Sequence, residues 1–236
     1  MRAVRATVGV VGELVVTFGV LVLLFVAWQL WWTDVSANRE QSLTAATLER
    51  SFAAPAPSSP GKPLAKGASP PPPAAVLPGD AFALMRIPRF GATNVRPVLE
   101  GTDTDTLTRG LGHYPDTAMP GQVGNFVVAG HRTTYGRPLH DIDKMRVGDL
   151  VIVELRASYV IYAVDRYEIV NPDRVDVAAA VPERPGVTPT AAWLTLTTCN
   201  PKYSAKQRYI VFAKMSQVIP RSAGIPAALL AAPAGA

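Results

Sequence analysis

Cysteine, histidine and metal-binding motifs are scarce in this sequence. Cys199 is the only cysteine among 236 residues, and the chain has only 3 histidines. A single cysteine in an exported chain is a free thiol with a chemical function, a partner in intermolecular pairing, or a buried inert thiol. No HExxH motif and no paired CxxC motif occurs, and the acidic residues are scattered. We therefore expect no metal site, no calcium site and no other cofactor.

Charge gives no support for a nucleic-acid partner. The formal net charge is +5, but the segment from Asp80 to Pro220 holds 16 basic and 14 acidic residues. Most of the excess therefore lies at the ends of the chain and in a linker. No run of like charges suggests a surface that follows a phosphate backbone.

One long apolar run stands near the N-terminus. Leu14 to Trp32 comprises 19 residues without a charge, and a helix of about 20 mostly apolar residues crosses a bilayer. Arg2 and Arg5 precede the run and Asp34 follows it, which predicts a cytoplasmic N-terminus and an extracellular remainder on a single-pass cell-membrane protein. The alternative is a cleaved signal peptide, but this apolar core is longer than the usual ~7–15 residues, and its Trp-rich end offers no cleavage site.

Composition divides the chain into four parts. Residues 1–32 are predicted to be a cytoplasmic stub and transmembrane anchor, and residues 33–79 a juxtamembrane segment and a Pro-rich stalk. Nine of the 22 prolines fall between Ala53 and Pro78, and such a stretch stays extended and holds a domain away from the membrane. Residues 80–219 are predicted to form one folded domain, and residues 220–236 a disordered tail.

The folded part has mainly the periodicity of β-strands. Runs such as FVVA and LVIV are apolar on both faces, which indicates a closed or sandwiched sheet. The best short helix is Asp103–Arg109, where Thr and Asp residues can supply a cap. Seven strands are predicted, near Ala81–Ile87, Val95–Leu99, Asn125–Ala129, Leu150–Leu155, Tyr159–Val170, Ala192–Thr198 and Ile210–Met215.

Cys199 is predicted to lie at the exit of a strand. The segment WLTLTTC places Thr197 and Cys199 on one face and Thr198 on the other, and Asn200-Pro201 then ends the strand. Arg208 opens the next strand after a short loop, so it would face Cys199 across the base of that loop. A guanidinium there can stabilise a thiolate and the oxyanion of a tetrahedral intermediate.

His131 ends another apolar strand, in FVVAGHR. Gly130 permits a sharp turn or a close approach of the backbone, so the imidazole can project into a site. An imidazole beside a thiol either takes its proton or pairs with it as thiolate and imidazolium, and histidine is also suited to protonate a departing amine. The other histidines, His113 and His140, both lie in loop-like contexts.

These motifs together resemble those of the sortase family. The resemblance rests on AGHRT at 129–133, on TLTTC at 195–199 and on the arginine nine residues after the cysteine, and it extends over most of residues 80–217. The segment GHYPDTAMPG at 112–121 is similar to the class E branch. Many class E relatives carry histidine directly after the cysteine, whereas this chain has Asn200, a difference that bears on the loop conformation and on the class.

The resemblance implies a mainly β fold: a closed eight-stranded sortase-type β-barrel with short helices, preceded by one transmembrane helix. It implies that Cys199 attacks the Thr-Gly bond of a C-terminal LAxTG-like sorting signal. His131 would protonate the leaving amine, Arg208 would support the oxyanion, and an amine of a cell-wall precursor would resolve the thioester. Tyr114 would read the second position of the signal, and Thr198 would contact the substrate.

Several alternatives remain open from the sequence. The enzyme could be a pilin-polymerising sortase, or a strict cysteine peptidase in which water resolves the thioester. Papain-like enzymes place the cysteine before the histidine, which is the reverse of the order here. The alternative without catalysis is a membrane-tethered β-barrel binding module. The proteins that would be anchored and the oligomeric state are not indicated by the sequence.

Overall fold

A computed structural model of the protein describes residues 2–53 and 76–233. The first described segment is one continuous helix, α1 (Arg2–Ala53), which contains the whole apolar run. By length and composition it can cross a membrane, and its most apolar window is not buried against the rest of the protein. The Pro-rich stalk expected between Ala53 and Pro78 falls mostly on residues 54–75, outside the described residues, so it stays a prediction.

Eight strands close into a barrel, as the resemblance implies, and the predicted fold is confirmed. Around the barrel the order is β1-β2-β3-β4-β7-β8-β6-β5. Neighbouring strands are antiparallel except for the β2–β3 and β4–β7 pairs, which are parallel. The strands are β1 (Ala81–Arg86), β2 (Val95–Glu100), β3 (Leu111–His113), β4 (Gly124–Ala129), β5 (Leu150–Glu154), β6 (Ser158–Val170), β7 (Ala192–Asn200) and β8 (Gln207–Pro220).

Alternation along the strands explains why the barrel closes. In β7, Leu194 and Leu196 are fully buried in the barrel interior, together with Val211 and Ala213 of β8. A second, smaller cluster lies outside this wall, where Ile210 and Phe212 of β8 pack with Val170 at the end of β6 and with Val177 of the β6–β7 connection. Both faces of β7 and β8 are therefore covered near the middle, which accounts for their nearly continuous apolar sequences.

The strand that the alternation pattern missed is β3. It is only three residues long, and it pairs in parallel with β2 and antiparallel with β4. Gly112 lies in its centre, where a Cβ atom would come within 2.4 Å of the carbonyl oxygen of Gly101. Three residues are too few to show a period of two, so only the neighbouring strands reveal this element.

Two short α-helices follow α1 in the described residues, besides four 3₁₀ helices at Pro88–Phe90, Ile142–Lys144, Val175–Ala178 and Arg221–Ala223. The predicted helix near Asp103 is present as α2 (Thr104–Arg109), and the Asp103 side chain caps it by accepting from the backbone N–H of Thr106. The sequence predicts a disordered tail from residue 220; within the described part of that segment, a short helix is present, α3 (Ala227–Leu230). The apolar side chains of this segment pack on the outer face of β5 and β6. The segment is too short to form a core of its own, so its apolar side chains are buried only through this contact.

Candidate active site

Cys199 and Arg208 lie opposite each other on neighbouring strands. They form a Cα pair in the antiparallel register of β7 and β8, and side chains opposite each other in such a pair share a face, with Cβ atoms about 4.5–5.5 Å apart. The Cys199 thiol is free and half-buried. Arg208 donates from Nη1 to the carbonyl oxygens of Ala205 and Gln207, at 3.0 Å each. The loop after β7 therefore holds the Arg208 guanidinium at the position opposite Cys199.

The parallel pairing of β4 with β7 brings the histidine to the other side of the cysteine. Ala129 at the end of β4 is paired with Thr197 of β7. Because the two strands run in the same direction, continuing each by two residues leads to His131 and Cys199. The strand of the cysteine thus has the end of the histidine's strand on one side and the arginine's strand on the other.

Gly130 is required for this arrangement because its backbone lies very close to its neighbours. A Cβ atom on Gly130 would lie 2.6 Å from Leu111 Cδ2 and 3.1 Å from Leu139. The Gly130 carbonyl accepts a 2.6 Å hydrogen bond from the hydroxyl of Thr198. The close approach predicted for this glycine is present, and it joins the strand before the histidine to the strand before the cysteine.

The His131 side chain is half-buried beside an aromatic ring. Its Nε2 is buried and has no hydrogen-bond partner among the described residues, and the centroid of the Tyr135 ring lies 5.0 Å from that of the imidazole. Burial lowers the pKa of His131, because the charged imidazolium loses hydration there. A neutral imidazole with a free nitrogen can exchange a proton with a bound group.

The other two histidines have partners on both ring nitrogens. His113 is buried, with Nδ1 2.6 Å from a Glu100 carboxylate oxygen and Nε2 2.9 Å from the Thr117 hydroxyl. His140 Nδ1 lies 2.9 Å from the carbonyl oxygen of Arg132, and its Nε2 lies 3.4 Å from the Nζ of Lys202. Both rings therefore have structural contacts, and His131 remains the better candidate for proton transfer.

A small cavity of about 110 Å³ opens beside Arg208. Its walls are mostly apolar, and Arg208 and Arg174 are its two charged side chains. Tyr114, the residue proposed from the resemblance to read the substrate, is one of the residues that line it. The other lining residues come from β4, β6, β7, β8 and the β6–β7 connection: Val127, Val170, Pro172, Val175, Val177, Ala178, Thr197 and Ile210.

Thr198, in contrast, is not among the residues that line this cavity. Its side chain is 4% exposed, and its hydroxyl is engaged with Gly130. Thr197, one residue earlier, lies on the same face as Cys199 and lines the cavity. Strand alternation accounts for this difference, because it places the two threonines on opposite faces of β7.

Arg132 was not identified from the sequence, although it lies between the two strand ends. Its Nη1 donates to the Asn200 side-chain oxygen at 2.6 Å and to the Cys199 carbonyl at 3.3 Å. Its Nη2 is 3.2 Å from a carboxylate oxygen of Asp143, and only 5% of the residue is exposed. Asn200, the residue that departs from the class E pattern, therefore accepts a bond from the residue that follows His131.

Within residues 2–53 and 76–233, no group of three or more His, Cys, Asp or Glu side chains is arranged to hold a metal ion. The candidate residues supply a thiol at Cys199, an imidazole at His131 and a guanidinium at Arg208.

Comparison with known proteins gives one consistent result. A family profile described as a sortase domain matches residues 85–216. The sortase SrtE1 of Streptomyces coelicolor is 38% identical over 228 residues, which is 93% of this chain but 60% of the relative. The solved structure of sortase E from Streptomyces avermitilis is 44% identical, with a TM-score of 0.60, and covers 65% of this chain and 99% of that one.

A structure of sortase E1 from Streptomyces coelicolor, solved with a tripeptide in its active site, has a TM-score of 0.59 and 38% identity, and covers 66% of this chain and 99% of that one. The sequence resemblance to the class E branch is thus confirmed by relatives that bear that name. This chain spans about 60% of the length of SrtE1.

Proposed function

The chain belongs to the sortase family, and from that membership we propose that it is a membrane-anchored cysteine transpeptidase with Cys199 as its nucleophile. The observation that carries the proposal is the strand arrangement: β7, which bears Cys199, has Arg208 opposite on β8 and the end of β4, leading to His131, on its other side. These three side-chain types are those that thiol-based acyl transfer requires.

In the first step the Cys199 sulfur attacks the carbonyl carbon of the scissile peptide bond. His131 accepts the thiol proton; because burial lowers the pKa of this imidazole, the neutral, proton-accepting form prevails at neutral pH. The imidazolium then gives the proton to the leaving amine nitrogen while the C–N bond breaks. The product is a thioester on Cys199, and Arg208 stabilises the oxyanion that forms on the way.

In the second step an amine replaces the sulfur. The amine nitrogen attacks the thioester carbonyl, the new C–N bond forms, and the C–S bond breaks. His131 takes a proton from the attacking amine and returns it to the departing thiolate, so that the enzyme regains its starting state. Cell-wall precursors carry an amine of this kind, and we assign the acceptor to that class.

The substrate is proposed to be a C-terminal LAxTG-like sorting signal, cleaved between Thr and Gly. The cavity beside Arg208 supports a peptide ligand because its apolar wall fits a small aliphatic side chain and Tyr114 lines the same space. Thr198 is proposed to contact the peptide, and Thr197, which lines the cavity, is a second candidate for that contact. A relative bound to a tripeptide supports the same class of ligand.

The proposed location is the outer face of the cell membrane. The apolar part of α1 is long enough to span a bilayer, and the basic residues before it favour a cytoplasmic N-terminus. The catalytic domain would then be extracellular, where sorting signals of secreted proteins arrive.

The test is mass spectrometry of the full chain in detergent after mixing with an LAxTG peptide. We expect a thioester adduct on Cys199 in the wild type and none in Cys199→Ala. His131→Ala should form the adduct far more slowly. If Cys199→Ala still cleaves the peptide, the proposed mechanism is wrong.

The fate of the adduct separates transfer from hydrolysis. Adding a short oligoglycine amine to the wild type should divert the product from the free acid to the ligated peptide. A product that stays the free acid at every amine concentration would instead indicate a strict cysteine peptidase. If alkylation of Cys199 leaves the biological function of the protein intact, the protein is a binding module and not a transpeptidase.

A further inference from the structure

The part of α1 that follows the apolar run is docked on the barrel. Its buried residues recur at helical spacing, at Ala37, Gln41, Ala45 and Phe52, so that one face of residues 33–53 is covered. Ala45 and Phe52 pack with Leu84 of β1. The helix that contains the apolar run therefore continues directly into a barrel contact.

At one end of this contact, α1 binds the loop that follows His131. Gln41, which is fully buried, donates from Nε2 to the carbonyl oxygen of Tyr135 at 2.9 Å. The carboxylate of Asp34 accepts from the backbone N–H of Gly136 at 3.2 Å and pairs with Arg137 at 3.1 Å. Three consecutive residues of the loop are thus bound by two side chains of the helix.

The conformation of this loop is unusual. Tyr135, Gly136 and Arg137 all have positive φ, of 51°, 75° and 49°, and a non-glycine residue there costs about 1–2 kcal/mol. A Cβ atom on Gly136 would lie 3.0 Å from Asn38 Oδ1 and 3.1 Å from Gln41 Nε2. The loop backbone therefore lies directly on the helix, and external contacts offset the strain of its left-handed residues.

The loop in turn covers the histidine. The Tyr135 ring, whose backbone Gln41 binds, is the aromatic ring 5.0 Å from the His131 imidazole. A change in the loop would change the burial of His131, on which its free Nε2 and its lowered pKa depend.

We propose that Asp34 and Gln41 of the juxtamembrane helix are positioning residues for His131, acting through the loop 135–137. This inference rests on the proposed function, because it requires His131 to be catalytic. It also has a spatial consequence: Asp34 follows Trp32, the last residue of the apolar run, by about 3 Å along the helix axis. The helix that crosses the membrane would then itself shape the active site, and the His131 loop would lie near the membrane surface.

The experiment compares variants of the full chain in detergent micelles. Gln41→Leu removes the donor to Tyr135, together with a bond to the Thr108 carbonyl and the acceptor for Arg96. Asp34→Ala removes the acceptor for Gly136 and the partner of Arg137 and leaves the other contacts of Gln41 in place. We expect each to lower kcat for peptide cleavage about tenfold or more with little change in KM, since a displacement of about 1 Å at a catalytic group can cost as much as 100-fold. Asp34→Asn keeps an acceptor oxygen and should recover part of the loss.

Glu49→Gln is the matched control. Glu49 lies on the same helix and binds Arg86 at 2.6 Å, away from the loop, so its loss should change kcat by less than twofold. The pH profile of kcat distinguishes positioning of His131 from helix docking in general. The acidic limb should shift to higher pH in Gln41→Leu and Asp34→Ala, and it should stay in place in Glu49→Gln. If Gln41→Leu does not fold, Asp34→Ala and Asp34→Asn provide the same comparison at a partly exposed position.

The outcomes separate this inference from the proposed function. If kcat and the pH profile of all loop-contact variants match the wild type while His131→Ala abolishes turnover, the helix does not position the histidine and the proposed function stands. If His131→Ala turns over normally, the proposed function itself fails. If Glu49→Gln loses as much activity as Gln41→Leu, helix docking in general matters and the specific role of Asp34 and Gln41 is wrong.

Discussion

The hydroxyl of Thr198 donates a 2.6 Å hydrogen bond to the carbonyl oxygen of Gly130. This contact joins the two strand ends that carry the proposed nucleophile and the proposed proton carrier, one residue before each. The relative position of Cys199 and His131 therefore depends on a bond between residues that do not react themselves.

Replacing Thr198 by valine should lower both stability and activity. The change keeps the shape of the side chain but leaves the Gly130 carbonyl without this donor, which costs about 1–3 kcal/mol for a buried group. Urea unfolding measures the stability, and the initial rate of peptide cleavage measures the activity. Thr188→Val makes the same chemical change at an exposed position and should leave both unchanged; equal effects at the two sites would contradict the prediction.

Replacing Arg208 by alanine should lower kcat about 100-fold, which is typical for loss of an oxyanion-stabilising group. Arg208→Lys should recover only part of the rate, because an ammonium keeps the charge without the planar fork of donors. Thioester formation measured by rapid quench distinguishes the variants. The control is Arg184→Ala, an exposed arginine of the β6–β7 connection. Wild-type rates in Arg208→Ala would exclude a catalytic role.

The acidic limb of kcat/KM should lie below about 6.5, the ordinary pKa of histidine. Burial lowers the pKa of His131, so its neutral form persists to lower pH than that of an exposed imidazole. Tyr135→Ala would expose the ring and move the limb upward toward 6.5. Tyr167→Ala, which removes a half-exposed tyrosine elsewhere, should leave the limb in place. A limb above 6.5 in the wild type would contradict this assignment.

The same pKa shift predicts how the stability contributed by His131 changes with pH. The unfolded chain binds a proton to this imidazole more readily than the folded chain does, so the free energy of unfolding decreases as pH falls through about 6.5. In His131→Gln this part of the pH dependence should be absent. Urea unfolding at pH 5 and pH 7.5 measures it, and identical slopes in the two proteins would show that the imidazole is not desolvated by folding.

Arg132→Met should destabilise the protein by about 1–3 kcal/mol, because the Asn200 oxygen and the Cys199 carbonyl both lose a charged donor. Kinetically, we expect a lower kcat, since the end of β7 would be less well fixed. Arg156→Met is the control at an exposed position with the same change of side chain. If Arg132→Met unfolds at the same urea concentration as the wild type, Arg132 does not stabilise the end of β7 and the prediction is wrong.

Much of this molecule follows from local sequence patterns. The length of the apolar run, the alternation along β7 and the Asn-Pro pair after it predicted a helix long enough to span a membrane and a cysteine near a strand end. The same alternation separated Thr197 from Thr198, and the motifs around His131 and Cys199 indicated the family. These features are local because a period of two or a run of apolar residues is read within one segment.

The tertiary structure determined which residues from distant segments contact each other. The parallel pairing of β4 with β7 joins segments about 70 residues apart, and no periodicity specifies that choice. The burial of His131, the contacts of Arg132 and the docking of Asp34 and Gln41 on the loop 135–137 depend on elements distant in the chain. A local pattern fixes which face of a strand a side chain occupies, whereas the packing of distant elements fixes its neighbours and hence its pKa and its role.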